Sequence, residues 1–105
     1  MPMSTTKDFH DYVLECLQNA GDVTTKRMMG EYCVYFNGKL VGNICDNTLL
    51  FKITESTEKL LESCEKAYPY EGSRTQMHVI EDFEDTQLMD KILNILYAEL
   101  PHKKK

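Results

Sequence analysis

Residues 26–54 read KRMMGEYCVYF-NG-KLVGNIC-DN-TLLFKIT, and this stretch decides the fold of the chain. Three runs rich in β-branched and aromatic residues are separated by two turn signals of two residues each. Asn37-Gly38 is the strongest short hairpin signal, because a type I′ turn needs a positive φ at both central positions. Asp46-Asn47 is a weaker signal of the same kind, since both residue types tolerate left-handed backbone. The stretch predicts a three-stranded antiparallel meander.

The two turns also predict which side chains share a face of the sheet, because side chains alternate along a strand and paired residues lie on the same face. In this register Val34 pairs with Val41, and Cys33 pairs with Gly42. One face is then nearly all apolar and is assigned to the core: Cys33, Tyr35, Leu40, Gly42, Ile44, Leu49, Phe51 and Ile53. The other face carries an apolar group with a polar rim: Tyr32, Val34, Phe36, Val41 and Leu50, with Lys39, Asn43 and Lys52 around them. Gly42 is expected to make room for an aromatic ring or a helix backbone.

Outside the meander, apolar residues recurring at helical spacing predict three helices, at about 6–20, 56–66 and 85–100. A polar connector at 21–26 precedes the meander, a fourth strand is predicted at 76–80, and a fifth short strand is possible near Tyr68–Tyr70. The order is therefore α-β-β-β-α-β-α. This order indicates an α+β fold of two layers, an antiparallel sheet with its helices on one side. The second face of such a sheet can stay open to water.

Length and charge limit the possible function. A chain of 105 residues makes a single domain spanning 1–105, with a lysine tail at 103–105 that is expected to be disordered. The net charge is −5, and without the tail nine basic residues face seventeen acidic ones, a net charge of −8. A body this acidic disfavours direct nucleic-acid binding, which depends on neutralising phosphates. No apolar run resembles a signal peptide or a membrane span, so a cytoplasmic location is expected and no membrane contact.

The residues that could carry chemistry do not form a familiar motif. Cys16, Cys33, Cys45 and Cys64 lack redox or zinc spacing and are interpreted as four reduced thiols, so no metal or cofactor is expected. His10 is expected on the wet side of the first helix, and His78 is expected to be a structural histidine in the fourth strand. Two alternatives stay open, a small ligand- or metal-binding domain and a cysteine-dependent enzyme.

The sequence resembles a known family. The run from Lys26 to Lys39 resembles the R-K/R-M-F-G-x-Y-x-x-Y-x-x-G-K opening of the TfoX/Sxy N-terminal domain, with Met29 where the family often has Phe and Glu31 where many members have Gly. The match continues from Val41 to Lys52, and 69–72 with the closing 100–105 resembles the stand-alone form of Gram-positive bacteria. The resemblance covers about residues 8–101. It implies a two-layer α/β sandwich similar to secretion-chaperone-like folds, and a link to the regulation of natural competence.

These observations predict a non-enzymatic protein-interaction module that is accessory to transcriptional regulation of the competence type. The predicted binding surface is the apolar group on the face opposite the core, which would bind a protein partner or a second copy of the chain. Lys26 and Arg27 precede the meander and either bind an acidic partner or a phosphate, or form salt bridges with nearby acids of the chain. The candidate partner-binding residues are Tyr32, Val34, Phe36, Val41, Leu50, Lys26 and Arg27.

Overall fold

A computed structural model describes residues 5–28, 31–69 and 73–100, and this part of the chain contains three α-helices and one six-stranded antiparallel sheet. The elements in chain order are α1 Lys7–Gln18, β1 Val23–Met28, β2 Glu31–Phe36, β3 Lys39–Cys45, β4 Thr48–Phe51, α2 Glu55–Leu60, β5 Lys66–Ala67, β6 Met77–Ile80 and α3 Thr86–Glu99. The strands lie in the order β1-β2-β3-β4-β6-β5. The predicted α+β class, with an antiparallel sheet and three helices, is confirmed.

The order of elements is longer than predicted by two strands. β1 occupies most of the predicted connector at 21–26, where three successive β-branched residues favour extended backbone. β5 lies just before the predicted fifth strand, and α2 ends six residues earlier than predicted, because the backbone leaves helical geometry at Leu61 (φ −112°, ψ 43°). Met29, Gly30, Tyr70 and the lysine tail at 103–105 lie outside the described residues.

Both turns of the meander have the predicted conformation. The φ angles are 51° at Asn37, 85° at Gly38, 53° at Asp46 and 56° at Asn47, so both central positions of each turn are left-handed. The predicted pairing of β3 with β4 is confirmed throughout, from Cys45 opposite Thr48 to Gly42 opposite Phe51. The Asp46-Asn47 turn fixes the register of the second hairpin completely.

The first hairpin departs from its predicted register at a β-bulge. Tyr35 pairs with Leu40 as predicted, but Val34 then pairs with Gly42, which leaves Val41 as an extra residue in β3. The predicted pairings of Val34 with Val41 and of Cys33 with Gly42 are wrong for this reason. Because side chains alternate along a strand, this extra residue turns every side chain of β2 to the face opposite the predicted one, relative to residues 42–45 of β3 and to β4.

The main core lies on one face of the sheet, and we call this the helix-covered face. The helices α1 and α3 contribute six buried residues to this core: Val13, Leu17, Met89, Ile92, Leu93 and Leu96. The strands contribute eight: Val23, Val34, Phe36, Val41, Ile44, Leu49, Phe51 and Ile80. The predicted core residues Ile44, Leu49 and Phe51 do lie on this face. Tyr35 and Leu40 lie on the opposite face, so their assignment to the core is wrong.

Gly42 lies on the helix-covered face next to the bulge. A Cβ atom built there would lie 2.0 Å from the Leu50 carbonyl oxygen and 2.9 Å from a ring carbon of Phe51. The prediction that Gly42 makes room for an aromatic ring is therefore confirmed, and the backbone of β4 uses the same space.

Side chains cap the N-terminal ends of the three helices, and one lysine joins the C-terminal end of α3 to the sheet. Thr6 and Asp85 cap α1 and α3, and Thr54 forms a capping box with Thr57 at the start of α2. Lys39, predicted at the rim of an exposed patch, instead donates hydrogen bonds to the carbonyl oxygens of Tyr97 (2.5 Å) and Leu100 (2.6 Å). It thereby ties the end of α3 to the first hairpin.

Candidate functional site

Most of the apolar residues predicted to bind a partner lie inside the protein. Val34 and Val41 have no exposed surface and Phe36 is 4% exposed, and all three pack in the main core against α1 and α3. The prediction that they form an exposed group is wrong, because the bulge at Val41 moves them onto the helix-covered face. Leu50 is also nearly buried, but it lies on the opposite face.

Tyr32, the fifth apolar candidate, holds α1 against the edge of the sheet. Its ring stacks on His10 with the ring centroids 3.9 Å apart. His10 also contacts the Thr25 hydroxyl through Nε2 (2.8 Å) and the Asp11 carboxylate through Nδ1 (2.9 Å). The side chain of His10 is only 11% exposed, so its predicted place in solvent is wrong.

The contacts of His10 follow the order carboxylate, imidazole, hydroxyl, which is also the order of a hydrolase triad. The carboxylate of such a triad is buried, whereas Asp11 is exposed and also accepts a hydrogen bond from Lys7 at 2.8 Å. The hydrogen bonds from Lys7 and His10 lower the pKa of Asp11 and keep it ionised. We therefore interpret the cluster as a clamp between α1 and β1.

The face opposite the helices, which we call the open face, is the candidate functional surface. In the described part of the chain no helix packs on it. Its central strands place Cys33, Tyr35 and Leu40 there, all half-buried, while Lys26 of β1 lies opposite Cys33 in the register. Further along the sheet Leu50 forms a small cluster with Cys45, Met77, Ala67 and Val79. The apolar residues of the open face thus extend over five strands, although Cys45, Leu50 and Met77 among them are buried, and Lys26 makes the β1 edge basic.

Tyr35 and Leu40 were missed as surface residues because the sequence pattern assigned them to the core. The signal that could have found them is the pair Val41-Gly42, since a glycine inside a strand often marks a bulge. The signal for β1 is the run Val23-Thr24-Thr25, which favours a strand over a connector.

Lys26 and Arg27 lie next to each other on β1, the edge strand of the sheet. Both are exposed, and their register partners Cys33 and Tyr32 show that the two side chains lie on opposite faces of the sheet. Within the described ranges neither side chain makes an ion pair or a hydrogen bond. Among the described residues, two exposed cations are thus without an acidic partner, although the sequence contains seventeen acids.

The thiols have the properties of packed side chains. Burial raises the pKa of the Cys45 thiol to about 11, and burial also raises the pKa of Cys16 and Cys64. The Cys64 thiol donates a hydrogen bond to the Val79 carbonyl oxygen at 2.9 Å. A raised pKa keeps a thiol protonated and slow to react, since the thiolate is the nucleophile.

His78 is the one buried titratable side chain on the described part of the helix-covered face. It has no exposed surface, and its Nε2 atom lies 3.0 Å from the Thr57 hydroxyl of α2. Its Nδ1 atom has no hydrogen-bond partner among the residues that the structure describes, so only one ring nitrogen of the predicted structural histidine is hydrogen-bonded there. Burial lowers the pKa of His78, and the nearby Lys66 adds to the effect while Glu58 opposes it.

A groove of about 380 Å³ lies between the end of α2 and β6 and is a candidate ligand site. Cys64 lies in its wall, and three acidic residues border it: Glu65, Glu81 and Asp82. Over the residues that the structure describes, no three His, Cys, Asp or Glu side chains are arranged to hold a metal ion. Nothing in the groove singles out a ligand.

The helices also bear on the predicted absence of membrane contact. Among the described residues, none of the helices combines the length and the apolar character that crossing a membrane requires.

Comparison with known proteins places this fold in a family. A curated protein of Spirochaeta aurantia, described as an uncharacterised 12.7 kDa protein in the trpE 5′ region, is 29% identical over 102 residues, which is 97% of this chain and 89% of that protein. The model of the TfoX N-terminal domain matches residues 15–94, which include every described strand, all of α2, the last turn of α1 and the larger part of α3. The chain therefore belongs to the TfoX N-terminal domain family.

Proposed function

We propose that this chain is a non-enzymatic protein-interaction module, accessory to transcriptional regulation of the competence type, and that its partner binds on the open face. The observation that carries the proposal is the partly exposed apolar surface of Cys33, Tyr35 and Leu40 on the side of the sheet without a described helix. Contiguous apolar surface of this kind is typical of interaction sites. The neighbouring Lys26 and Asn43 supply the polar surroundings that interfaces usually have.

The regulatory part of the proposal comes from the family. Members with two domains join this domain to a helical domain, and the family name refers to competence regulation. The chain carries a net charge of −5, so direct contact with DNA phosphates is disfavoured. A role through a protein partner is consistent with both observations.

The enzyme and ligand-binding alternatives have weaker support. At pH 7 a thiol with a pKa near 11 is ionised in only about one molecule in ten thousand, so Cys45 is a poor nucleophile. The His10 cluster leaves its carboxylate in solvent, and His78 contacts a threonine hydroxyl rather than a thiol. These features favour a binding role over a catalytic one.

The experiment compares the retention of one cellular protein by three tagged forms of the chain. The double variant Tyr35→Ser/Leu40→Ser removes apolar surface from the open face. The matched control Tyr12→Ser/Leu60→Ser removes the same two residue types from the helices, where they are more exposed (46% and 36%). We expect wild type and control to retain one protein in stoichiometric amount, identified by mass spectrometry, and the open-face variant to lose it while its unfolding free energy changes by only about 1 kcal/mol.

Equal retention by the open-face variant would contradict the proposed surface. Rapid alkylation of one thiol by iodoacetamide at pH 7, or turnover of a substrate, would contradict the non-enzymatic role. A salt-dependent mobility shift with duplex DNA would replace the protein partner with a nucleic acid.

A further inference from the structure

The two edges of the sheet differ in length and exposure. β5, at one edge, has only two residues, which is too short to align a further strand. β1, at the other edge, has six residues, and four of them are exposed: Thr24, Lys26, Arg27 and Met28. Met28 alone is 49% exposed. In the described part of the chain, the outer edge of β1 presents backbone N–H and C=O groups that can pair with another strand, although the Val23 carbonyl oxygen already accepts a hydrogen bond from the Gln18 side chain (3.1 Å).

Charge shows what kind of strand fits this edge. The six strands together carry four basic side chains and one acidic one, Glu31, whereas the helices and loops carry the other acids. Glu31 already accepts hydrogen bonds from the Thr5 hydroxyl (2.8 Å) and the Asp46 backbone N–H (3.2 Å). Lys26 and Arg27 have no such partner in the described ranges. The β1 edge is therefore a basic strip on an acidic protein.

A second copy of the chain does not fit the β1 edge. A two-fold antiparallel pairing that keeps both faces continuous must place even-numbered residues opposite even-numbered ones. Any such pairing with a long overlap brings Lys26 of one copy opposite Lys26 of the other, or within two residues of it. Like charges directly across a strand pair are destabilising, and basic residues on edge strands are a known protection against self-association.

We infer that the β1 edge binds an extended acidic segment of the partner protein, which adds to the sheet as a further strand beside β1. This inference rests on the proposed interaction function and names the chemistry of the partner. Lys26 and Arg27 lie on opposite faces of the sheet, so the segment needs two consecutive acidic residues, whose side chains also alternate between faces. Backbone hydrogen bonds supply the affinity, and the two ion pairs supply register and selectivity.

The test uses the full chain and the peptide acetyl-Thr-Val-Thr-Glu-Asp-Val-Thr-Val-amide, labelled for fluorescence anisotropy. A second peptide replaces Glu-Asp with Lys-Arg. We expect the acidic peptide to bind at least tenfold more tightly than the basic one. We also expect binding to slow amide hydrogen exchange at the alternate residues of β1 whose N–H groups point away from β2.

Two further peptides test strand addition itself. Alternate N–H groups of a strand point to opposite edges, so N-methylation of one alternate set blocks pairing with β1 and N-methylation of the other set does not. We expect one N-methylated peptide to lose binding at least tenfold more than the other. Equal affinity of the two would overturn strand addition.

Matched protein variants locate the site. Lys26→Glu/Arg27→Glu is expected to weaken binding of the acidic peptide at least tenfold. Lys59→Glu/Lys91→Glu makes the same change of net charge on exposed helix positions and is expected to leave binding unchanged. No binding of the acidic peptide, or equal losses in both variants, overturns the inference, as does binding of a 20-base-pair DNA duplex through Lys26 and Arg27.

The same variants separate this inference from the proposed function. If the cellular partner is lost from Tyr35→Ser/Leu40→Ser but kept by Lys26→Glu/Arg27→Glu, the interaction module stands and the edge-strand inference fails. If neither variant changes what is retained, both fail.

Discussion

The two faces of the sheet differ far more in burial than in composition. Val34 and Tyr35 are neighbours in β2, yet Val34 has no exposed surface and Tyr35 is partly exposed on the open face. Both faces carry large apolar side chains, such as the buried Phe51 on the helix-covered face and the partly exposed Leu40 on the open face. The bulge causes this difference in burial. Val41 and Gly42 both face the helices at the bulge, and Val34, which pairs with Gly42, therefore faces the helices too. In a sheet that is apolar on both sides, register determines which side is covered.

The largest expected effect comes from placing the same charge at two adjacent positions of β2. Val34→Asp puts a carboxylate into the main core without a partner, which should cost more than about 4 kcal/mol and leave the protein largely unfolded. Tyr35→Asp puts it on the open face, where we expect a loss of about 1 kcal/mol. Urea titration followed by far-UV circular dichroism measures both. Unfolding by Tyr35→Asp together with tolerance of Val34→Asp would show that the faces are reversed.

The next effect tests the close contact beside the bulge. Gly42→Ala introduces a Cβ atom 2.0 Å from the Leu50 carbonyl oxygen, so β3 and β4 must separate locally. We expect a loss of about 2–3 kcal/mol in unfolding free energy. Asn43→Ala, one residue on and on the open face, is the control and should change the free energy by less than about 1 kcal/mol. Similar values for the two variants would mean that the strands have more room at Gly42 than the structure gives.

A smaller loss of stability is expected from substitution in the turn that joins β2 to β3. Gly38 has φ +85° and no atom within 4 Å of a built Cβ, so a substitution there acts through the backbone alone. Gly38→Val should cost about 1–3 kcal/mol, because β-branched residues resist positive φ. Gly38→Asn should cost much less, since Asn tolerates that conformation. Unchanged thermal stability of the valine variant would mean that the turn is not type I′ in solution.

The sequence was sufficient where local chemistry determines structure. Asn37-Gly38 and Asp46-Asn47 require left-handed backbone, so both turns and the whole β3–β4 register could be predicted. The bulge could not be predicted from alternation, because Val41 fits either face and only the structure shows the helices that cover it. β1 was missed for a related reason: its polar edge-strand composition is also typical of a connector.

The binding role of the candidate surface stays a prediction, and the residues assigned to that face were wrong. In the described part of the chain the face without a helix carries Tyr35 and Leu40 rather than Val34 and Phe36. Lys26 and Arg27 could be identified as candidates from sequence. Their position on an edge strand, one on each face, depends on β1 and therefore needed the structure.

The smallest expected effect concerns the buried polar residue of the helix-covered face. The pKa of His78 is lowered from its ordinary value of 6.5, first by burial and then by Lys66, while Glu58 acts in the opposite direction. Below pH 6.5 the unfolded chain therefore binds a proton at this position more readily than the folded chain does. The stability that neutral His78 provides is complete above pH 6.5 and is lost as the pH falls from there through the lowered pKa. His78→Leu removes this titration and leaves the Thr57 hydroxyl bonded to the backbone of Thr54, so α2 keeps its cap. Urea titrations at pH 7.5 and pH 5.5 should show a larger loss of unfolding free energy for wild type than for His78→Leu, and equal losses would mean that His78 is protonated as easily in the folded protein as in water.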